Sequence, residues 1–540
     1  MLSTCPVPLL DAAPDILVIG GGLAALMAAL AAHEQGCSAA IASLGPVGRS
    51  GNTAVTENAI AGITNAPDNT IEAFVADLER SGKGIDDPAL TANLAGHSRE
   101  IMNLLKQYGV SLPYENGDFV TIPRIGGHSV ARIVRADTSK QGHAIKGRAY
   151  LTPLAERAMA AGIPFLNGLR AIRLLQKNDR VCGVMFHERR TGKIHIQPAR
   201  RVILATGGYA GLYKNTTNVS DMYGDGIGLA LLAGCPVRDM EMVQYLPTML
   251  VGGVRMNITN QVQAFGSRMR NSTGEAFMAR YDPAAELAAR DSMARAIFTE
   301  IQSGRGVDGA VYVDCTDIDE KVFNGPLASF ASRLIGCGLD PRKQMLRGAP
   351  GSHYTMGGVV IDSEGRTPVP GLYAAGEVAG GVHGANRLGG AALMEATVFG
   401  RLAALAACSD DAPEAKPDIP ALPAIPTEEE RTVVEQELKK LRAILWEHAS
   451  IVRDEVGLTT ALNKIETMRS TWSSVPHAPG NFFATTLLLA ETIAQSALMR
   501  TESRGAHYRS DYPETDPAWA VSIACSLRDG KLGLSRLPKA

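Results

Sequence analysis

No two of the eight cysteines stand in a CxxC pair: Cys5, Cys37, Cys182, Cys235, Cys315, Cys337, Cys408 and Cys525 are scattered singly. Iron–sulfur clusters and structural zinc need thiolates gathered at short spacing, so no metal site is expected inside this chain. Single cysteines of this kind serve as small buried hydrophobes in a reducing compartment. Electrons bound for a cluster would have to leave for another chain. The sequence also lacks an apolar run long enough to cross a bilayer; the best, residues 23–32, is too short. Its start shows no basic region followed by an apolar stretch, as a signal peptide would. A cytoplasmic location without direct membrane insertion is the expectation. Charge of one sign is missing as well: the formal net charge is −2, which gives no general attraction to nucleic acid.

What the chain has is glycine, 56 residues in 540, as a fold with many tight strand-to-helix turns would. Its 45% hydrophobic and 20% charged residues are a globular composition, and its length calls for roughly two to four domains. Residues 15–26, DILVIGGGLAAL, read as a buried strand, a glycine turn and a helix reaching about residue 35. Gly20 and Gly22 let the backbone turn sharply and approach a pyrophosphate, which then sits on the helix N-terminus. Ala25 stands where the third glycine usually does. The next strand, 38–43, ends at Ser43, where the usual dinucleotide fingerprint wants an acid. Residues 201–208 form a strand ending in ATGG, residues 223–228 open another helix with Asp225 in its first turn, and 367–377 end at Gly376 and Glu377. Taken singly, each turn has an ordinary structural explanation, since glycines end strands everywhere and an acid can cap a helix. Their order along the chain points to one nucleotide-binding unit. No second GxGxxG is placed for a separate nicotinamide domain.

Three short segments serve a further, shared purpose. They are HYTMGG at 353–358, GLYAAGE at 371–377 and HGANRLGG at 383–390. They hold the imidazole of His353 and the guanidinium of Arg387 beside a glycine turn leading into a helix over 388–404. Such a helix start offers free N–H groups and a partial positive charge to a reduced ring or an anion. With the strand–glycine opening and the ESRGAH stretch at 502–507, these segments closely resemble the flavoprotein family of fumarate reductases, succinate dehydrogenases and L-aspartate oxidases. The resemblance covers essentially the whole chain.

The resemblance implies an α/β fold. A Rossmann-like, two-dinucleotide-type FAD-binding domain (1–233 and 347–407) is interrupted by an α+β capping domain (234–346). A linker (408–426) and a C-terminal helical bundle (427–540) follow, the bundle opened by a capping box at Thr427. It also implies bound FAD, contacted by Gly20, Gly22, Ala25, Ser43, Ser50, Asn52, Thr53, Ala205, Thr206, Gly207, Asp225, Gly376, Glu377, Arg387, Ala392 and Leu393. Serine at position 43 is usual in the family, and Glu377 is expected to bond hydroxyls of the ribose or ribityl chain. Some relatives attach the flavin to a histidine in the stretch matching 48–54. This chain has no histidine between His33 and His97, so its FAD is expected to be non-covalent, as in L-aspartate oxidases.

The substrate side keeps part of the family pattern. Arg290 matches an arginine that acts as general acid in fumarate reductases; a salt bridge with Asp291 or Glu286 is the lesser alternative. Guanidinium is an unusual acid, fitting better as an anion clamp that lends a proton only when crowded by positive charge. His353, Arg387 and Thr259 complete the expected catalytic set. Leu246 replaces a carboxylate-holding histidine, while Asn260, Gln263 and Phe265 replace the two glutamates and the arginine around a proton relay. Amides cannot carry a titrating proton, so that relay should not operate here. The expected substrate is a small carboxylate with one anionic end and a less polar remainder against Leu246 and Phe265, not fumarate itself. An L-aspartate oxidase-like enzyme, supported by the GGHS stretch at 126–129, is one alternative. A flavin subunit passing electrons to an iron–sulfur partner is another.

Overall fold

The computed structural model describes residues 9–124, 127–139, 146–252, 256–258, 261–411, 415–420, 428–473 and 482–537. Thr259, Asn260, Gly126, Thr427 and part of the expected linker lie outside these residues. The strand Ile16–Ile19 is buried along its whole length, as a strand between parallel neighbours must be. Its partners are Ala39–Ser43 on one side and Arg201–Leu204 on the other, with Ile16 opposite both Ala39 and Arg201. Leu372–Ala374 and Phe165–Asn167 complete a five-stranded parallel sheet. The helix Leu23–Glu34 runs back along this sheet. Its alanine-rich surface lets the helix Ala391–Cys408 approach so closely that a Cβ on Gly400 would sit 2.7 Å from the carbonyl of Ala24.

Two strands lead from this body into residues 250–346. Val243–Leu250 pairs antiparallel with Leu346–Thr355, placing Leu246 opposite Gly351, and Val311–Asp314 and Arg268–Arg270 extend the sheet. A separate hydrophobic cluster fills this region, built on residues such as Phe277, Ile297, Val313 and Phe330. The second long strand returns to the body and delivers His353 and Tyr354 at its end.

Beyond the linker stand the helices Glu428–His448, Glu455–Ser473 and Phe482–Met499, followed by two strands that a purely helical C-terminal region does not include. Ser522–Arg528 and Lys531–Leu537 form a hairpin whose Asp529-Gly530 turn has φ of 50° and 72°, the left-handed pair that a two-residue hairpin loop favours. Its inner strand pairs with Val237–Arg238 and so joins a mixed sheet of the body. The ESRGAH stretch locks the same junction. Arg500 donates from Nε to Glu241 at 2.7 Å and from Nη1 to Glu502 at 3.1 Å, and Arg453 donates to the Glu241 carbonyl at 2.8 Å, all buried. Removing one partner from such a network leaves an unpaired buried charge and costs about 3–5 kcal/mol.

The helices Ala391–Cys408 and Phe482–Met499 are long and apolar enough to cross a membrane, which corrects the expectation from uninterrupted runs. Charged residues such as Glu395 and Arg401 hid the first of them. Both are mostly buried in the protein interior, as core helices are.

Candidate active site

A cavity of about 630 Å³ opens between the parallel sheet and the region 250–346. Three helices, Leu23–Glu34, Asp225–Leu232 and Ala391–Cys408, begin at its wall. Their N-cap positions are Gly22, Gly224 and Gly390, so no cap side chain covers the first turns. Each such terminus carries about half a positive charge and stabilises an anion by roughly 0.3–1 kcal/mol. Gly20 has φ +130°, and a Cβ there would lie 2.1 Å from the carbonyl oxygen of Ala205, so the turn closes tightly only with glycine. Thr53 Oγ1 meets the N–H of Leu23 at 3.3 Å. The elongated cavity, its bare helix ends and its short polar side chains fit a dinucleotide with a pyrophosphate.

The wall contains Gly20, Gly22, Ser43, Ser50, Asn52, Thr53, Ala205, Thr206, Gly207, Asp225, Gly376, Glu377, Arg387, Ala392 and Leu393. Ala25 is different: it is fully buried in its helix, where its small side chain serves close packing. Asp225 reaches the cavity while pairing with Arg170 at 3.2 Å, and Arg170 in turn covers the ring of Phe482. Glu377 accepts from Asn52 Nδ2 and from the Thr355 N–H, both at 3.1 Å. Burial outweighs these bonds and pushes its carboxyl up to about 7. Asn52 also donates to Asn218 at 2.7 Å, and Asn218 donates to the His353 carbonyl at 2.9 Å. That chain of amides ties the nucleotide side to the substrate side.

On the substrate side, Arg387 donates from Nη2 to Gln244 Oε1 and from Nη1 to the Leu388 carbonyl, each at 2.9 Å. Its guanidinium stacks on Tyr354, 4.6 Å from the ring centroid. Arg290 opens the helix Arg290–Glu300 and faces the same cavity. The salt-bridge reading of Arg290 does not hold, because Asp291 pairs with Arg295 at 3.0 Å and Glu286 with Arg268 at 3.3 Å. The Arg290 side chain is itself exposed to solvent in the open cavity, with protein crowded around that cavity. Burial first, and then the charge of Arg387, bring its pKa down to about 10. His353 has its Nδ1 2.8 Å from Thr217 Oγ1, whose hydroxyl also reaches the Ser352 carbonyl at 3.3 Å. With the threonine proton on that carbonyl, Nδ1–H donates and Nε2 is left as an acceptor. Burial and the two arginines press His353 down to about 3, so the ring is neutral near pH 7.

Leu246 lines the cavity as expected. Phe265 does not; it lies in the turn after the short helix Gln261–Ala264, 37% exposed, which removes it from the apolar end of the site. Ile258 and Ala264 take that place in the cavity wall. Gln263 is buried outside the wall, and both its amide atoms lack a partner among the described residues. Thr217, Asn218, Gln244 and Arg170 are site residues that sequence reasoning missed, since amides, hydroxyls and one strand arginine carry no spacing signal of their own. Gln244 alone stood in a family-like stretch that could have flagged it.

The FAD binding domain model matches residues 15–393, and the fumarate reductase flavoprotein C-terminal model matches residues 438–535. A fumarate reductase (CoM/CoB) subunit of Methanothermobacter marburgensis is 34% identical over 94% of this chain and 96% of its own length. An L-aspartate oxidase of Caulobacter vibrioides is 36% identical over 93% of this chain and 94% of its own. Among solved structures, the E. coli quinol fumarate reductase FrdA superposes with a TM-score of 0.82 at 26% identity, covering 98% of each chain. Cavity, nucleotide-binding turns and full-length similarity agree: the chain belongs to the fumarate reductase and succinate dehydrogenase flavoprotein family, which includes L-aspartate oxidase, and is an FAD-dependent oxidoreductase.

Proposed function

We propose that this enzyme interconverts a carboxylate bearing a C=C bond with its saturated form, on a substrate other than fumarate. One observation carries the reading: Arg290 and Arg387 face one cavity around a neutral His353, and neither has a carboxylate at ion-pair distance among the described residues. Two guanidinium groups without a direct ion pair suit a ligand that brings its own negative charge. FAD, when bound, supplies the two-electron chemistry. The chain holds it without a covalent link, since His353 is the one histidine among the described residues of the wall and is engaged with Thr217. Gly20, Gly22, Ser43, Ser50, Asn52, Thr53, Ala205, Thr206, Gly207, Asp225, Gly376, Glu377, Ala392 and Leu393 would line it.

Arg387 clamps the carboxylate, fixed by Gln244 and the Leu388 carbonyl. Arg290, whose hold on its proton is weakened by burial and by the neighbouring charge, is placed to lend that proton to the substrate carbon and recover it. Neutral His353 orients the substrate as an acceptor and adds no third positive charge. Thr259 belongs to this set by the family pattern. Leu246 offers nothing polar to a second carboxylate, so a substrate with one anionic end is favoured. The region 234–346 closes over the site and excludes water, which strengthens each of these charge interactions.

Anaerobic reoxidation of the reduced enzyme by unsaturated carboxylates, followed at the flavin visible band, tests this. A monocarboxylate is expected to reoxidise it at least about tenfold faster than fumarate. R387A should lower kcat/KM about 1,000-fold, whereas R290Q should lower kcat with KM little changed. Fast fumarate reduction or fast L-aspartate oxidation overturns the substrate class.

A second reading, an amino-acid oxidase, rests on the 36% identity to an L-aspartate oxidase and on His128, whose Nε2 lies 2.8 Å from the Gly389 carbonyl at the helix start. Oxygen uptake with L-aspartate decides it. The similarity to a protein that is one subunit of a larger fumarate reductase also supports a partner chain as the electron carrier. Co-purification of an iron–sulfur protein would establish that arrangement. A cytoplasmic place is part of the same proposal, and cell fractionation tests it.

A further inference from the structure

Arg387 is enclosed by protein, and yet no carboxylate touches it among the described residues. The charged and titratable groups around it come from four elements. Arg290 belongs to the helix Arg290–Glu300, His353 and Tyr354 to the strand Leu346–Thr355, Glu377 follows the strand Leu372–Ala374, and Glu395 lies on the helix Ala391–Cys408. Arg290 adds like charge. Glu377 is engaged with Asn52 and Thr355 on the nucleotide side. Glu395 remains, and it reaches Arg387 through a ring.

The Tyr354 hydroxyl donates to Glu395 Oε2, and His383 Nε2 lies 3.1 Å from the same oxygen. Tyr354, His383 and Glu395 are 7%, 3% and 1% exposed, with the His383 ring edge-on to Tyr354 at 5.6 Å. With His383 in the tautomer that carries its proton on Nε2, that carboxylate oxygen takes two donors. A phenol whose proton is drawn toward a carboxylate has a more electron-rich ring. The face of that hydrogen-bonded ring carries the guanidinium, a cation–π contact that desolvation strengthens.

We propose that Glu395, acting through Tyr354 and steadied by His383, is the counter-charge and positioning unit of Arg387. A direct ion pair would occupy the guanidinium N–H groups and compete with a substrate carboxylate. The indirect one keeps the charge in place while the unused Nη hydrogens stay available; among the described residues the buried Nε has no partner. Among the described residues Arg290 has no equivalent support, so the two arginines differ in how firmly they keep their protons. Glu395 is a positioning residue, since it touches neither the cavity nor the reacting atoms. This inference rests on the reading of Arg387 as the carboxylate clamp.

The test uses the oxidised holoenzyme and acetate, which has no CH–CH bond to oxidise, titrated from pH 7 to 10 with the flavin visible band as the readout. In the wild type, acetate affinity falls on the alkaline side as the arginine pair of the cavity loses charge, with Arg290 brought down to about 10. Removing the counter-charge makes that loss easier, so E395Q should move the midpoint about one pH unit lower. E395D keeps the carboxylate and should stay near the wild type. Y354F keeps the ring but releases Glu395, and should move the midpoint in the same direction as E395Q. Q244A loosens the clamp without altering its charge, and should weaken acetate several-fold with the midpoint unmoved. Equal midpoints in the wild type and E395Q, or equal shifts in E395Q and E395D, overturn the proposal. Should E395Q fail to retain FAD, Y354F decides by the same comparison. If R387A binds acetate as the wild type does, the clamp reading falls and takes this inference with it.

Discussion

On the nucleotide side of the cavity the wall is mainly backbone: glycine turns, three bare helix starts, and short hydroxyls and amides. On the substrate side it is long side chains, two guanidinium groups and an imidazole, with Arg387 held by Gln244 and Tyr354 and His353 by Thr217. Backbone walls tolerate almost no change, because an added carbon collides with a carbonyl that cannot move. Side-chain walls can be rewritten one residue at a time while the fold stays as it is. The same body can thus keep one cofactor while the substrate changes, and Leu246, a departure from the family pattern, lies on the substrate side.

The largest test of this contrast is Gly20→Ala. Its Cβ would meet the Ala205 carbonyl at 2.1 Å, so FAD affinity should fall at least about 100-fold and the purified protein should be colourless. Gly36→Ala is the control. Its φ is also left-handed, but nothing lies within 4 Å, so it should lose some stability and stay yellow. Absorbance ratios after reconstitution with FAD check both; a yellow Gly20→Ala enzyme would break the comparison.

Glu377→Gln has a middle-sized effect and a pH signature. The folded carboxyl is raised to about 7 from an ordinary value of 4.5, so the fold binds this proton more tightly than the unfolded chain does. Its stabilising contribution is full below pH 4.5 and is lost as the pH rises through 7. The neutral amide should therefore raise the melting temperature of the FAD-free protein at pH 8 by a few degrees, on the order of 1 kcal/mol, and leave it unchanged at pH 4. FAD affinity should fall about tenfold, consistent with one lost hydrogen bond. An unchanged melting temperature at pH 8 would contradict the raised carboxyl.

The smallest effect is expected from Leu246→His, which returns a carboxylate-binding group to the apolar end. Fumarate affinity should rise about three- to tenfold while FAD content stays constant. A steady-state KM for fumarate that does not move would show that Leu246 is not what sets the substrate class.

The nucleotide half was legible because sterics leave few sequences that can turn a strand into a helix against a phosphate, and DILVIGGGLAAL is one of them. Arg290, Arg387 and His353 were legible only through family spelling, and their spacing alone would not have joined them; a strand from one region and two helix starts bring them together. Phe265 shows the limit of position-by-position transfer, since a one-residue difference in a turn decides whether a side chain faces the cavity or water. Glu395 was hidden inside an apolar helix, its role set by Tyr354 some forty residues earlier in the chain. The C-terminal hairpin had a readable sign, Asp529-Gly530 between two strand-like runs, which the strong helical periodicity before it masked.

That hairpin has a consequence for how the molecule is made. Its strand Ser522–Arg528 pairs Cys525 with Val237 and Ala524 with Arg238, right where the chain leaves the body for the region above the cavity. During synthesis the earlier strand waits with one edge bare until residues 522–528 have emerged from the ribosome. A nascent chain paused before residue 520 would present that edge to any passing strand, making late translation the interval in which chaperone cover matters most.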